Sequence, residues 1–382
     1  MLEVQGTGGG LDGVSAMSIE FYWRLPSQGD GRAADRQDWN RGDHAPTTGH
    51  RHDYARTGTR RDGFTYYDLL VQVARAAELA GFNGLSIPQT AGGEEPLVVA
   101  GALAREVGRL KLLPSFPAQF VAPVYAAKIA TSFQRLTTGR LAWHLHIDDG
   151  AEGAWHGRTR PRAEQVARTG EFLDIVKGFW NEAPFDYKGT YYEVEKGGFA
   201  GPLAGQKLPE IHLSGDTEGE LDLAGRHADV YLLTPAPLDE LRARIADVRT
   251  RAAGREVRFA LAADIITRHS DEAAWDHLRR QWDAAGRRTR HLSGEPAERP
   301  DFDSYRRSDG QWAGFAALRG EEGVGLVGGY DTIAATIADY ARIGIDRFIL
   351  GANPHLEEAY RVGEHVIPRI HAILAGADSA AA

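Results

Sequence analysis

The feature that most constrains this chain is an alternation repeated along most of its length: a short β-branched or apolar run, then a longer stretch with apolar residues at helical spacing. Switching between strand and helix periods in this order is the pattern of a parallel sheet with crossover helices. The strand runs fall at 19–23, 84–87, 111–116, 141–147, 210–215, 229–233, 258–267 and 347–351. They number about eight, the count that closes a (β/α)8 TIM barrel. Helical patterns fill the intervals at 66–80, 96–107, 124–136, 163–180, 218–227, 238–252, 271–284, 331–343 and 356–374. The first carries Leu69, Leu70, Val73, Ala76, Ala77 and Ala80 on one face before Gly81 stops it.

This α/β reading expects one (β/α)8 domain over 18–376, between a flexible Gly-rich tail at 1–17 and a short tail at 377–382. Two stretches break the rhythm, 27–63 and 286–325, both rich in Gly and charge. Insertions of that length are expected to form lids or binding loops at the catalytic face, where barrel strands end; a merely solvated insertion is the alternative. A hydrophobic share of 42% beside 25% charged residues leaves enough apolar surface for a large core. The net charge of −9 opposes a nucleic-acid footprint, which wants clustered positive charge. No apolar run reaches the length of a membrane span and no leader pattern opens the chain, so a cytoplasmic protein is expected. Zero cysteines exclude disulfides, thiolate nucleophiles and Cys-ligated metal centres.

The most unusual strand is 141–149, Leu-Ala-Trp-His-Leu-His-Ile-Asp-Asp, where alternation puts His144, His146 and Asp148 on one face. Such a stripe would be costly inside a barrel unless partners or a ligand satisfied it. Three readings stand for His144: contact with an organic cofactor, half of an H-x-H metal pair, or a satisfied structural histidine. Asp264 interrupts an apolar strand on the face of Ala260 and Ala262. It is either an acid–base group with a perturbed pKa or one half of a salt bridge to a nearby Arg. In 211–217, Ile-His-Leu-Ser-Gly-Asp-Thr, a strand passes through a Gly turn into a helix whose N-terminus favours an anion. Asp216, Glu218 and Glu220 at the same end read equally as ordinary capping.

Residues 326–331, Leu-Val-Gly-Gly-Tyr-Asp, and 343–364, Ile-Gly-Ile-Asp-Arg-Phe-Ile-Leu-Gly-Ala-Asn-Pro-His-Leu-Glu-Glu-Ala-Tyr-Arg-Val-Gly-Glu, resemble the luciferase-like class of flavin-dependent monooxygenases, in particular the alkanesulfonate monooxygenases. The likeness continues through 21–31, 77–88, 136–141 and 185–191 and spans nearly everything after Met17 except the two insertions. It implies reduced FMN delivered by a separate NAD(P)H-dependent flavin reductase, O2 as co-substrate through a flavin peroxide, and a homodimer or homotetramer. The resemblance further implies that Ser214, Gly215 and Thr217 form the phosphate turn, and that His144 stands where the family often sets an Asn against the flavin ring. Trp23, Pro88 and Gln89 fall at strand ends approaching the ring, and Asp148 near it. Arg319 matches an arginine on a mobile segment, and His355 and Asn353 fall just beyond the last strand; with His144 and Asp264 they make up the implied catalytic set.

Departures from that pattern bear on substrate choice. Gly93 stands for a Cys, Asn353 for a Tyr, Gln28 for a His and Thr234 for a Trp. Ala262 and Asp264 replace an Arg and a His, while Val166 replaces a Tyr that touches phosphate, leaving Gln165 or Arg168 as substitutes. A lost cation and a gained anion point away from a free sulfonate and toward a neutral or cationic substrate such as an aldehyde, sulfone or amine. Three alternatives accompany the reduced-FMN reading: a deazaflavin-dependent oxidoreductase, a metal-dependent barrel hydrolase built on His144, His146, Asp148 and Asp264, and an inactive flavin-binding homologue. The leading reading carries no metal ligand set.

Overall fold

The computed structural model describes residues 19–27, 66–90, 93–147, 160–293, 300–307, 310–319 and 323–381. The first half of the barrel runs β1 (Glu20–Arg24), α1 (Tyr66–Leu79), β2 (Gly84–Ile87), α2 (Pro96–Leu103), β3 (Lys111–Pro117), α3 (Pro123–Thr137), β4 (Ala142–His146) and α4 (Arg162–Asn181). A hairpin of β5 (Phe185–Lys188) and β6 (Glu193–Gly197) follows, outside the main sheet. The second half runs β7 (Glu210–Leu213), α5 (Glu218–His227), β8 (Val230–Leu233), α6 (Leu238–Arg251), β9 (Arg258–Arg268) and α7 (Asp271–Ser293). It ends with β10 (Gln311–Trp312), α8 (Phe315–Arg319), β11 (Gly325–Gly329), α9 (Tyr330–Arg342), β12 (Arg347–Gly351), α10 (His355–Arg361) and α11 (Ile367–Ala381).

Parallel pairing in the order β9, β12, β1, β2, β3, β4, β7, β8 and back to β9 closes a (β/α)8 barrel. All eight expected strand runs contribute to it. Alternation then sorts the side chains. Phe21, Trp23, Trp143, Leu145, Phe259, Leu261, Phe348 and Leu350 face outward into a continuous core with the helices. Tyr22, Leu113, Ala142, Leu232, Ala262 and Ile349 face inward as a small apolar middle layer. Below it Arg347, fully buried, pairs with Glu20 at 2.6 Å and with Glu210, so a charged plug closes the N-terminal end of the strands. The C-terminal end is where the remaining inward positions meet space.

Within the second insertion the structure departs from a loop. Helix α7 extends to Ser293, and β11 pairs in parallel with the upper half of β9. Trp282, Phe302, Trp312 and Phe315 pack with Ile266, Leu278 and Val327 into a separate aromatic core. A two-residue strand such as β10 is too short for alternation to reveal, which is why the sequence pattern shows only Gly, Pro and charge there. Of the first insertion, only Ser27 belongs to the described residues. Among the described residues no helix is long and apolar enough to cross a membrane.

Candidate active site

At the C-terminal end of the strands, β3, β4 and β7 lie side by side, with Ser115 in register with His144 and His144 with His212. Ser115 Oγ stands 2.9 Å from His144 Nδ1 and 3.1 Å from His146 Nδ1, and His144 Nε2 lies 2.9 Å from Ser214 Oγ. One hydroxyl carries one proton, so Ser115 can donate to only one of the two imidazoles and must accept from the other. His144 therefore has two self-consistent arrangements, donating to Ser115 and accepting from Ser214 or the reverse, without changing charge. Burial depresses its pKa well below the ordinary histidine value, and the positive charge that His146 and His212 would bring adds to the effect. A neutral His144 thus sits in a relay able to present either a donor or an acceptor from Ser214.

His144 and Ser214 of this relay line a cavity of about 390 Å³ whose wall also includes Gly215, Asp216, Tyr231, Thr234, Arg244 and Ala262. Small-molecule sites span about 300–1,000 Å³, so the space suits a ring-sized ligand. Tyr231 donates to the carbonyl of Gly215, and burial pushes its pKa up to about 12, keeping the phenol protonated. Gly215 adopts φ 127°, which a side chain would resist. Beyond it, Thr217 caps α5 in a capping box with Glu220.

Across the barrel mouth, Arg24 Nη2 donates to Asp264 Oδ1 at 2.5 Å, with both side chains buried. Two glycines make room for the pair, since Gly351 and Gly325 both stand opposite Asp264 in register. A Cβ at Gly351 would meet Arg24 Nη2 at 2.7 Å, and one at Gly325 would meet the Asp264 Cβ at 2.7 Å. The salt-bridge reading of Asp264 is the one observed. The argument that an added carboxylate repels anionic substrates therefore loses its basis, because Arg24 supplies the cation that Ala262 lacks. Strand alternation places Arg24 on the face of Glu20 and Tyr22, so the period argument that singled out His144 also applied to it; Ser115 follows Lys111 and Leu113 in the same way.

The remaining candidates divide by position. Ser214 and Gly215 line the cavity, and Thr217 opens the adjacent helix. Pro88 and Gln89 follow β2 at the rim, where the Pro88 carbonyl accepts from the Ser27 hydroxyl at 3.0 Å. Trp23 points the other way. Its ring packs edge-on against Phe82 at 5.3 Å and His355 at 6.1 Å, between the sheet and the helices. The expected approach of Trp23 to a ring in the barrel mouth is therefore corrected, because odd positions of β1 face the helices, and His355, just beyond β12, is buried against the same outer core. Asn353 is buried after β12, its carbonyl accepting from Gln281 at 3.3 Å. Arg319 ends α8, its side chain outside the described part, and Asp148 lies outside the described residues, as does Gln28. Arg168 does not reach the Gly215 turn; its guanidinium lies over the rings of Tyr191 and Tyr192 at 5.1 and 5.2 Å. Gln165 is held by Arg160 and Gln119. Among the described residues no group of three His, Asp or Glu side chains is arranged to hold a metal ion.

With this geometry in hand, a family model described as luciferase-like monooxygenase matches residues 45–347. Solved structures share the fold at low identity. A riboflavin lyase with modified FMN and substrate riboflavin is 17% identical, with a TM-score of 0.67 over 93% of this chain and 91% of that one. The EDTA monooxygenase of Chelativorans sp. BNC1 is 18% identical, with a TM-score of 0.67 over 93% and 94%. The coenzyme F420 dependent tetrahydromethanopterin reductase of Methanopyrus kandleri is 14% identical, with a TM-score of 0.64 over 93% and 100%.

Proposed function

This chain belongs to the luciferase-like monooxygenase family, and we propose that it is a two-component monooxygenase using reduced FMN from a separate NAD(P)H-dependent flavin reductase. With O2 it oxygenates a small organic substrate, organosulfur compounds included. The observation that carries this reading is the neutral Ser115–His144–Ser214 relay, whose His144 and Ser214 line a roughly ring-sized cavity at the end of the barrel where such sites form. The donor set fits a flavin ring, whose polar edge needs both hydrogen-bond donors and acceptors.

When bound, reduced flavin supplies the electrons that activate O2 for oxygen transfer. The chain's own residues hold and shield. His144 and Ser214 fix the ring edge, and because His144 stays neutral it offers hydrogen bonds without adding a cation beside a reduced ring. Leu232, Leu233, Ala236, Leu241 and Ala262 give the cavity apolar walls, which limit water at the reacting centre. The Arg24–Asp264 pair adds dipolar but no net charge to the mouth, so the substrate's charge is not dictated from that side.

Anaerobic titration with chemically reduced FMN tests the reading. Wild type should quench and saturate, and His144→Ala should weaken binding by about tenfold, the worth of about one hydrogen bond in a partly buried site. Wild type that ignores reduced FMN defeats the proposal. The likeness to a coenzyme F420 dependent reductase favours one second reading, hydride transfer with a deazaflavin. Turnover that proceeds without O2 selects it.

A further inference from the structure

The cavity that His144 lines also has the turn Ser214–Asp216 in its wall, and that turn leads into the N-terminus of α5 at Thr217. A ligand with its ring over His144 and an anionic end would by general physics place that end at this helix terminus, where backbone N–H groups and the dipole favour negative charge. That position already holds an anion. The carboxylate of Glu220, 1% exposed, accepts from the Thr217 backbone N–H at 3.0 Å and the Thr217 hydroxyl at 2.6 Å through Oε2. Its Oε1 accepts from Arg162 Nε at 3.1 Å and Nη2 at 2.6 Å. Gly215, whose missing side chain would leave room for a phosphate, leaves it for Glu220 instead: a Cβ there would stand 2.5 Å from the Glu220 carboxyl carbon. Four donors at this helix start, the Thr217 N–H and hydroxyl and two groups of Arg162, are thus engaged by a buried side chain.

We propose that Glu220 holds the place of the cofactor's phosphate, so that the phosphate must displace it and contributes little net affinity. This rests on the flavin reading of the site. A dianion arriving beside Glu220 meets like charge at close range unless the carboxylate swings away, and swinging away breaks four hydrogen bonds to gain a similar set. The exchange leaves the flavin held mainly by its ring. Arg162, half-exposed, is a cation that either anion would share, and Arg244 lines the cavity at the same turn.

The test compares FMN with riboflavin, which lacks the phosphate, in anaerobic titrations of the reduced forms followed by fluorescence. In wild type the two dissociation constants should agree within tenfold. Glu220→Gln keeps the size and the capping hydrogen bond but removes the charge and frees Arg162; it should tighten FMN at least tenfold and leave riboflavin within threefold. Circular dichroism and a thermal melt check that the variant folds, and Glu220→Ala supplies the same comparison if Gln still fills the turn. FMN binding wild type more than tenfold tighter than riboflavin overturns the proposal while the flavin reading stands. So does a charge-removing variant that shifts both ligands alike. Failure of both flavins to bind wild type and both variants defeats the flavin reading itself.

Discussion

Replacing Arg24 with Met removes the cation from a buried pair and keeps most of the side-chain volume. Asp264 is 0% exposed and its Oδ1 lies 2.5 Å from Arg24 Nη2. With charge centres about 4 Å apart and an effective dielectric of about 20, the lost attraction is about 4 kcal/mol. That agrees with the roughly 3–5 kcal/mol cost of breaking one side of a buried ion pair, about a fifth or more of the stability of an ordinary domain. Asp264 would relieve part of the cost by keeping a proton, so the loss should shrink as pH falls. Urea denaturation at pH 7.5, fitted with a common slope, reads the difference. The double variant Arg24→Met with Asp264→Asn removes the stranded charge and should be more stable than Arg24→Met alone by about 2 kcal/mol. A single-variant loss below about 1 kcal/mol, or a double-variant loss equal to the sum of the singles, would refute the claim that the two charges hold each other at the barrel mouth.

Other consequences are open to the same assays. Gly351→Ala sets a Cβ 2.7 Å from the Arg24 guanidinium and should cost about 1–3 kcal/mol by overpacking, a penalty that largely disappears in the Arg24→Met background. Arg347→Met leaves Glu20 to Lys111 and Glu210 to Arg258 in the lower plug, so it should cost less than the roughly 3–5 kcal/mol of a fully stranded charge; an unchanged urea midpoint contradicts the plug. Burial, reinforced by Lys177 and Arg226, pushes the His227 pKa down to about 3, so between there and about 6.5 the folded form binds fewer protons than the unfolded chain. Stability should be full above about pH 6.5 and fall below it, by about 2 kcal/mol at pH 5 from this residue, with His144 and His212 adding in the same direction. His227→Gln should flatten that acid limb, and a limb of unchanged steepness would remove His227 from the account.

How much of this was legible in the sequence depends on the range of the signal. Barrel strands and helices were, because alternation and helical spacing act over four or more residues; β10 and the aromatic core around Trp312 were not, because their contacts are long-range and their strands short. His144 stood out as a polar residue on an apolar strand, and the same logic places Arg24 and Ser115. What alternation cannot supply is which partner meets which. Asp264 could be an acid–base group or half of a salt bridge until Arg24 stood beside it, and the face of β1 that Trp23 takes is fixed by packing against Phe82. Glu220 read as ordinary capping at an anion-favouring helix end, and the structure has it in the capping box, packed against Gly215.

The central claim is oxygen insertion supported by reduced flavin, and labelled dioxygen tests it most directly. The protein, FMN, a flavin reductase and NAD(P)H would be supplied with 18O2 and a panel of alkanesulfonates, sulfones, aldehydes and amines, and the products weighed by mass spectrometry. Incorporation of one labelled oxygen into a panel member, absent when the reductase is omitted, is the predicted result. Turnover that continues under nitrogen, or product carrying no label, would contradict it.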